Sequence, residues 1–117
     1  MFTQVLQATV KRNRILEFKH GITQHALPAI RTQPGFVDAV ELYSSNKFMC
    51  ITFWRTQQDT DRFVHQLLPR ILARTEPLLA DLARCEVFKI ASDTIHQAQE
   101  LGERKVEVAA RPIAAAA

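Results

Sequence analysis

Cysteine is scarce in this sequence, with only Cys50 and Cys85 among 117 residues. The two do not form a CxxC motif, and no histidine stands at a metal-site spacing from either of them. We therefore predict no metal and interpret both residues as free thiols within core strands, where cysteine serves as a small apolar side chain. Free thiols are typical of a reducing compartment, so we predict a cytoplasmic protein.

Long runs of one kind of residue are also missing. The formal net charge is only +3, and the lysines and arginines are scattered along the chain. Without a basic block, nothing in the sequence indicates binding to nucleic acid. The first apolar run begins at Phe2 and is interrupted by Gln4 and Gln7, so it predicts neither a signal peptide nor a membrane span. We expect no nucleic acid and no membrane among the partners.

Two adjacent β-rich runs dominate the middle of the chain, over residues 36–43 and 47–55. Separated by a short polar segment, they predict a β-hairpin. Apolar residues occupy both parities of each run, as Phe48 and Met49 illustrate. Because strand side chains alternate between faces, both faces of this sheet must be covered. One small chain can cover one face with its own helices, so we predict a homodimer that covers the other.

The remaining patterns complete one domain. Residues 2–10 alternate as a first strand, and a helical stripe follows to about residue 31. Pro28 lies inside this stripe and predicts a bend or break near residues 24–27. Further helical pieces follow residue 56, and residues 85–90 predict a fourth strand. The order β-α-β-β-α-β predicts an α+β, ferredoxin-like domain with an antiparallel sheet over residues 1–91. Residues 92–117 form a C-terminal extension, interpreted either as docked on the partner subunit or as a frayed appendage.

Several short motifs in this order resemble those of the antibiotic biosynthesis monooxygenase (ABM) family of dimeric α/β-barrel proteins. They are Pro34-Gly35-Phe36, Glu41-Leu42-Tyr43, Thr52-Phe53-Trp54-Arg55-Thr56 and Asp61-Arg62-Phe63. The resemblance covers residues 2–91. It implies a homodimeric α/β barrel in which two four-stranded sheets pack face to face, and a cavity in each subunit between its sheet and its helices.

The resemblance also implies a chemistry for that cavity. In the oxygenases of this family a tryptophan at the position of Trp54 lines the pocket, and a phenolic or anthrone substrate reacts with oxygen through its own carbanion. Such a reaction needs no organic cofactor, so none is predicted. The oxygenase pattern has an asparagine four residues before the tryptophan and a tyrosine six after it, where this chain has Cys50 and Thr60.

Candidate site residues come from the helical stripe and the strands. An imidazole titrates near neutral pH, so a histidine at the edge of the buried stripe is a candidate general base. A strand carboxylate and phenol that share a face are candidates for a pocket acid and its partner. The predicted catalytic residues are His25, Tyr43 and Glu41. The predicted substrate-pocket residues are Trp54, Gln7, Thr52 and Phe63.

Three functions stay open from the sequence. The first is a cofactor-independent, monooxygenase-like enzyme that acts on a small aromatic or hydroxy-carbonyl metabolite. The second is a non-catalytic ligand-binding or dimerisation module, whose cavity is filled by Phe18, Phe53, Phe63 and Leu67. The third is an isomerase or lyase of a small metabolite, with Glu41 or His25 as the base.

Overall fold

The computed structural model describes residues 1–91, and the predicted C-terminal extension lies outside them. Four antiparallel strands form one sheet in the order β2-β3-β1-β4. The strands are β1 (Phe2–Thr9), β2 (Phe36–Ser44), β3 (Lys47–Trp54) and β4 (Arg84–Lys89). The predicted hairpin and the ferredoxin-like α+β fold are thereby confirmed, with β1 and β3 in the centre of the sheet.

Two helical stretches connect these strands, and each contains a turn of π-helix. The first stretch joins β1 to β2 and consists of a 3₁₀ turn (Arg12–Arg14), α1 (Ile15–Gly21), the first π segment (Ile22–Ala26) and α2 (Leu27–Arg31). The second stretch follows β3 and consists of α3 (Gln57–Arg62), the second π segment (Phe63–Leu67), α4 (Leu68–Thr75) and a 3₁₀ turn (Glu76–Leu78). No helix within residues 1–91 has the length and apolar character needed to cross a membrane.

Proline explains where the π segments occur. Pro28 and Pro69 each stand two residues after a π segment. A proline cannot donate to the carbonyl four residues earlier, and its ring clashes with that carbonyl in a regular α-helix. The wider π turn, closed by the N–H of Leu27 on the carbonyl of Ile22, relieves the clash without ending the helix. The bend predicted near residues 24–27 is therefore a local widening of a continuous helix.

The turn before β2 packs closely against the second helical stretch. Gly35 has a φ of 78°, and a side chain there would collide with that of Asp59. Asp59 belongs to the first turn of α3, where the Thr56 hydroxyl accepts its backbone N–H at 3.1 Å. Arg62 also binds the Asp59 carboxylate, at 3.1 Å. Glycine is required here both for its backbone conformation and for the close approach.

The two faces of the sheet differ completely in their surroundings. The covered face packs against both helical stretches, and its central members are Gln4, Leu6, Phe48, Cys50, Thr52 and Trp54, all buried. By strand register, the open face carries Val5, Val40, Leu42, Met49, Ile51, Phe53 and Phe88. No element within residues 1–91 covers this apolar row, and Leu42 and Phe88 are 46% and 45% exposed.

Candidate functional site

Trp54 lies at the end of β3 on the covered face and has no solvent exposure. Its ring stacks on Phe63 of the second π segment, with ring centroids 4.8 Å apart. Phe36 of β2 meets it edge-on at 5.8 Å. These contacts bring together the end of the hairpin and the second helical stretch.

A row of buried polar side chains runs across the covered face from Trp54. The indole Nε1–H donates to the Thr52 Oγ1 at 2.8 Å. The Thr52 hydroxyl in turn donates to the Gln4 Oε1 at 3.3 Å, and the Gln4 Nε2 donates to the Cys85 Sγ at 2.9 Å. Trp54, Thr52 and Gln4 are each at most 1% exposed. A buried polar group costs free energy unless it has a partner, and each member of this polar row supplies one to the next.

A small cavity lies between this polar row and the helices. Its volume is about 20 Å³, and its walls are apolar except for Gln4 and Thr52. This space is sufficient for about one water molecule. The cavity has the place and chemical character that the ABM resemblance implies, although the surrounding side chains fill most of the space.

Glu41 and Tyr43 form a second polar group at the outer edge of the covered face. The Tyr43 hydroxyl donates to the Glu41 Oε2 at 3.1 Å, and the Lys19 ammonium lies 4.5 Å from the centre of the Tyr43 ring. Burial raises the pKa of Tyr43 well above its usual value, and the Glu41 carboxylate raises it further. The phenol is therefore held in its neutral, donating form.

Cys50 connects the two groups. It lines the small cavity and is the direct register partner of Glu41 on the adjacent strand. Burial raises the pKa of the Cys50 thiol to about 11, and the Glu41 carboxylate contributes to the rise. Glu41 therefore lies next to a residue of the cavity wall, although it does not line the cavity itself.

The structure does not bring all the predicted site residues together. Thr52, Trp54 and Phe63 meet in the core, and Glu41 and Tyr43 meet beside it. His25 is exposed and lines a groove on the outer side of the helices instead of the small cavity. Gln7 is exposed on the opposite, open face, because its position in β1 has the other parity from the buried residues.

Gln4 takes the place in the pocket that was predicted for Gln7. Sequence reasoning missed it, although the signal was present, because Gln4 shares its parity in β1 with Leu6 and Ala8. A glutamine on the buried parity of a central strand must have polar partners, and that requirement marks it as a candidate. Phe53, predicted to fill the cavity, also lies on the open face, whereas Phe18 and Phe63 are core residues.

Within residues 1–91, no three histidine, cysteine or carboxylate side chains lie close enough together to hold a metal ion. All buried side-chain nitrogen and oxygen atoms in the same residues have hydrogen-bond partners. The arrangement is therefore an apolar pocket with a few polar groups that are satisfied by one another. The polar groups beside this pocket are the hydroxyl, amide and carboxylate groups described above.

Comparison of whole structures identifies related folds. The chain is similar to SnoaB, a cofactor-independent oxygenase from Streptomyces nogalater, with a TM-score of 0.67 and 20% identity over 79% of this chain and 94% of that one. For a candidate antibiotic biosynthesis monooxygenase from Nitrosomonas europaea, the TM-score is 0.66 and the identity is 17%, over 79% of this chain and 100% of that one. For another, from Deinococcus radiodurans, the TM-score is 0.70 and the identity is 9%, over 80% of this chain and 95% of that one.

At the level of sequence, no protein-family model matches the chain, and no curated protein does either. At identities of 9–20%, the structural likeness establishes the fold. Residues 1–91 have the fold that the ABM resemblance implies, and the reaction has to be argued from the residues themselves.

Proposed function

We propose that this protein is a monooxygenase-like enzyme that acts on a small aromatic or hydroxy-carbonyl metabolite without a bound organic cofactor. The observation that supports this proposal is the polar row of Trp54, Thr52 and Gln4 beside an apolar cavity between sheet and helices. Ligand sites are commonly apolar pockets with a few polar groups that fix orientation. The shared fold with a cofactor-independent oxygenase adds to this support.

The proposed chemistry uses the substrate's own electrons. A base removes a proton from an anthrone or quinol, and the resulting carbanion reduces molecular oxygen. One oxygen atom becomes the new carbonyl of an anthrone's methylene carbon and the other leaves as water. The protein supplies only deprotonation and orientation. We assign orientation to the hydroxyl of Thr52 and the amide of Gln4, and deprotonation to Glu41. Glu41 stands beside the cavity-lining Cys50 on the adjacent strand, so a substrate reaches its carboxylate only when the cavity enlarges.

Substrate binding requires the cavity to enlarge. At about 20 Å³ it cannot hold an aromatic ring, so the two helical stretches must separate from the sheet. Both π segments line this cavity, through Ile22 on one side and Phe63 on the other. Single π turns inside α-helices are frequently found at functional sites. We assign the opening movement to these two segments.

The small cavity also supports a second candidate function, a non-catalytic ligand-binding or dimerisation module. A core with its polar atoms satisfied and space for about one water is what such a module would have. The two functions differ in one measurable respect. An enzyme consumes oxygen with a substrate of the right class, and a structural module does not.

Oxygen uptake with a panel of quinols and anthrones tests the enzyme directly. We expect uptake with one class, a loss of about tenfold or more in the Glu41→Gln variant because the base is removed, and no loss in Glu76→Gln. Glu76 is an exposed carboxylate in the 3₁₀ turn after α4 and serves as the matched control. Quenching of Trp54, the only tryptophan, measures binding separately. Absence of both uptake and quenching would leave the structural module.

We also propose that the protein is a homodimer joined through the open face. Seven apolar side chains line that face, and contiguous exposed apolar surface of this kind marks an interaction site. Sedimentation velocity at micromolar concentration should show a dimer. Ile51→Asp, in the middle of the face, should convert it to a folded monomer, because two buried and unpaired carboxylates would result. A monomeric wild-type protein would contradict the proposal.

The cytoplasmic location stays a proposal, supported by the two free thiols, Cys50 and Cys85. Free cysteines persist in reducing compartments. Fractionation of cells that express the full chain, with a cytoplasmic marker protein as reference, would test it. Recovery in an oxidising compartment would contradict it.

A further inference from the structure

A groove of about 730 Å³ lies on the outer side of the helices, between the first and the second helical stretch. Its floor is apolar and includes Ala26, Ala29, Ile71 and Leu78. Ala26 and Ile71 also line the small cavity beneath, so two side chains separate the groove from the sheet. The volume lies in the range of small-molecule sites, and the groove plays no part in the function proposed above.

The rim of the groove has a strongly basic character. His20, His25, Arg70 and Arg74 line it, and Glu17 is the one acidic residue among the lining side chains. Glu17 forms an ion pair with Arg14 at 2.8 Å, which satisfies its charge. Within residues 1–91, no carboxylate forms an ion pair with either Arg70 or Arg74. The guanidinium groups are therefore available to an anion.

The first π segment is what places two histidines on this rim. His20 and His25 are five residues apart, which in a regular α-helix of 3.6 residues per turn would separate them by about 140° around the axis. A π turn closes its hydrogen bond over five residues, so residues at this spacing come close to one side. Their ring centroids are 6.5 Å apart, with the rings nearly perpendicular.

We propose that this groove binds a small amphipathic carboxylate, with its apolar body on the floor and its carboxylate between the arginines and histidines of the rim. Arginine presents a planar fork of donors that matches a carboxylate with two parallel hydrogen bonds. The imidazole groups add donors on the opposite side of the groove. The floor is apolar, and the arginines of the rim form no ion pair within residues 1–91. The groove should therefore favour an anion with a hydrocarbon body over a neutral apolar molecule.

Two carboxylate probes, 1-naphthoate and decanoate, test this site with the full-length protein. We expect saturable binding by calorimetry, with amide NMR shifts at groove residues such as Ala29 and Ala73. The double variant Arg70→Gln/Arg74→Gln should bind about tenfold more weakly or worse, because it loses the charged forks. Arg31→Gln/Arg55→Gln changes two exposed arginines outside the groove lining and should bind as the wild type does.

Four outcomes would overturn the proposal. The first is equal affinity for 1-naphthoate and its neutral amide, which would make the groove an apolar site without charge selection. The second is NMR shifts confined to the open face, around Val40 and Leu42. The third is movement of the groove signals on dilution without a probe, which would assign the groove to self-association. The fourth is the absence of saturable binding of either acid up to about 5 mM.

Discussion

Both faces of the sheet carry large apolar residues, but their surroundings are opposite. On the covered face, Trp54 and the helical Phe63 that stacks on it are 0% and 1% exposed, with a satisfied polar row beside them. The open face presents Leu42 and Phe88 at nearly half exposure. Residue type alone therefore does not separate a buried face from an exposed one. The difference lies in the polar residues, which on the covered face bind one another.

Phe63→Ala should give the largest contrast between the faces. Removing a fully buried ring that stacks on Trp54 leaves a cavity, and we expect a loss of about 3–5 kcal/mol in the free energy of unfolding. Phe88→Ala, on the open face, should cost roughly 1 kcal/mol or less at protein concentrations where the chain is monomeric. Urea denaturation followed by Trp54 fluorescence measures both variants.

Protein concentration sharpens this comparison. If the open face is a dimer interface, the cost of Phe88→Ala should grow as the concentration rises, since association stabilises the folded state by mass action. The cost of Phe63→Ala should stay large at every concentration. Equal costs for the two variants in the monomer would mean that the faces do not differ as described.

The sequence predicted the faces through parity, and this part of the fold follows from simple geometry. Alternating side chains in residues 36–43 and 47–55 required cover on both sides, and the structure provides helices on only one. Parity could also have selected Gln4 rather than Gln7 as the pocket residue. Treating every polar strand residue as a candidate does not distinguish the two. Their roles depended on which parity was buried.

The positions of the helical side chains were harder to predict, because they depend on the π turns and not on the regular spacing of an α-helix. A wheel with α-helical spacing separates His20 from His25, and only the π turn before Pro28 places them on one side. Proline indicated a disturbance near residues 24–27 but not its kind. The position of His25 in an outer groove, away from Trp54, followed from that local widening and from the packing of the second helical stretch.

A second contrast concerns how the free energy of unfolding depends on pH through the Cys50 thiol. Its pKa is raised from 9.0 to about 11 in the folded protein, so the unfolded chain loses the thiol proton first as pH rises. The stabilisation is present in full below about pH 9 and is lost as pH approaches 11, by roughly 2–3 kcal/mol for a shift of this size. Tyr43 is shifted in the same direction and adds to the loss above its unfolded pKa.

Unfolding free energies measured between about pH 8.5 and 10 report mainly on the two thiols, because the ordinary pKa of tyrosine is about 10 and burial raises the pKa of Cys85 as well. Cys50→Ala should lose less stability than the wild type over this interval. Cys85→Ala, which removes an exposed thiol, should follow the wild-type curve more closely. A Cys50→Ala curve as steep as that of the wild type would show that the Cys50 thiol is not the titrating group.

The smallest expected effect tests the polar row itself. Thr52→Val removes the acceptor of the Trp54 indole and the donor to Gln4 while keeping the volume of the side chain. Two buried groups then lack a partner, and we expect a cost of about 1–2 kcal/mol. Thr3→Val removes a hydrogen bond to the carbonyl of Thr52 from the open face, where the Thr3 side chain is only half-buried.

We expect the Thr3→Val variant to lose less than about half of what Thr52→Val loses, because water can reach the carbonyl it leaves behind. Thr52→Ser keeps the hydroxyl and gives up only a methyl group, so it should restore the hydrogen bonds at the cost of a small void. If Thr52→Ser is as destabilised as Thr52→Val, packing rather than hydrogen bonding maintains this side of the sheet. The polar row would then lose its standing as the feature that distinguishes the covered face from the open one.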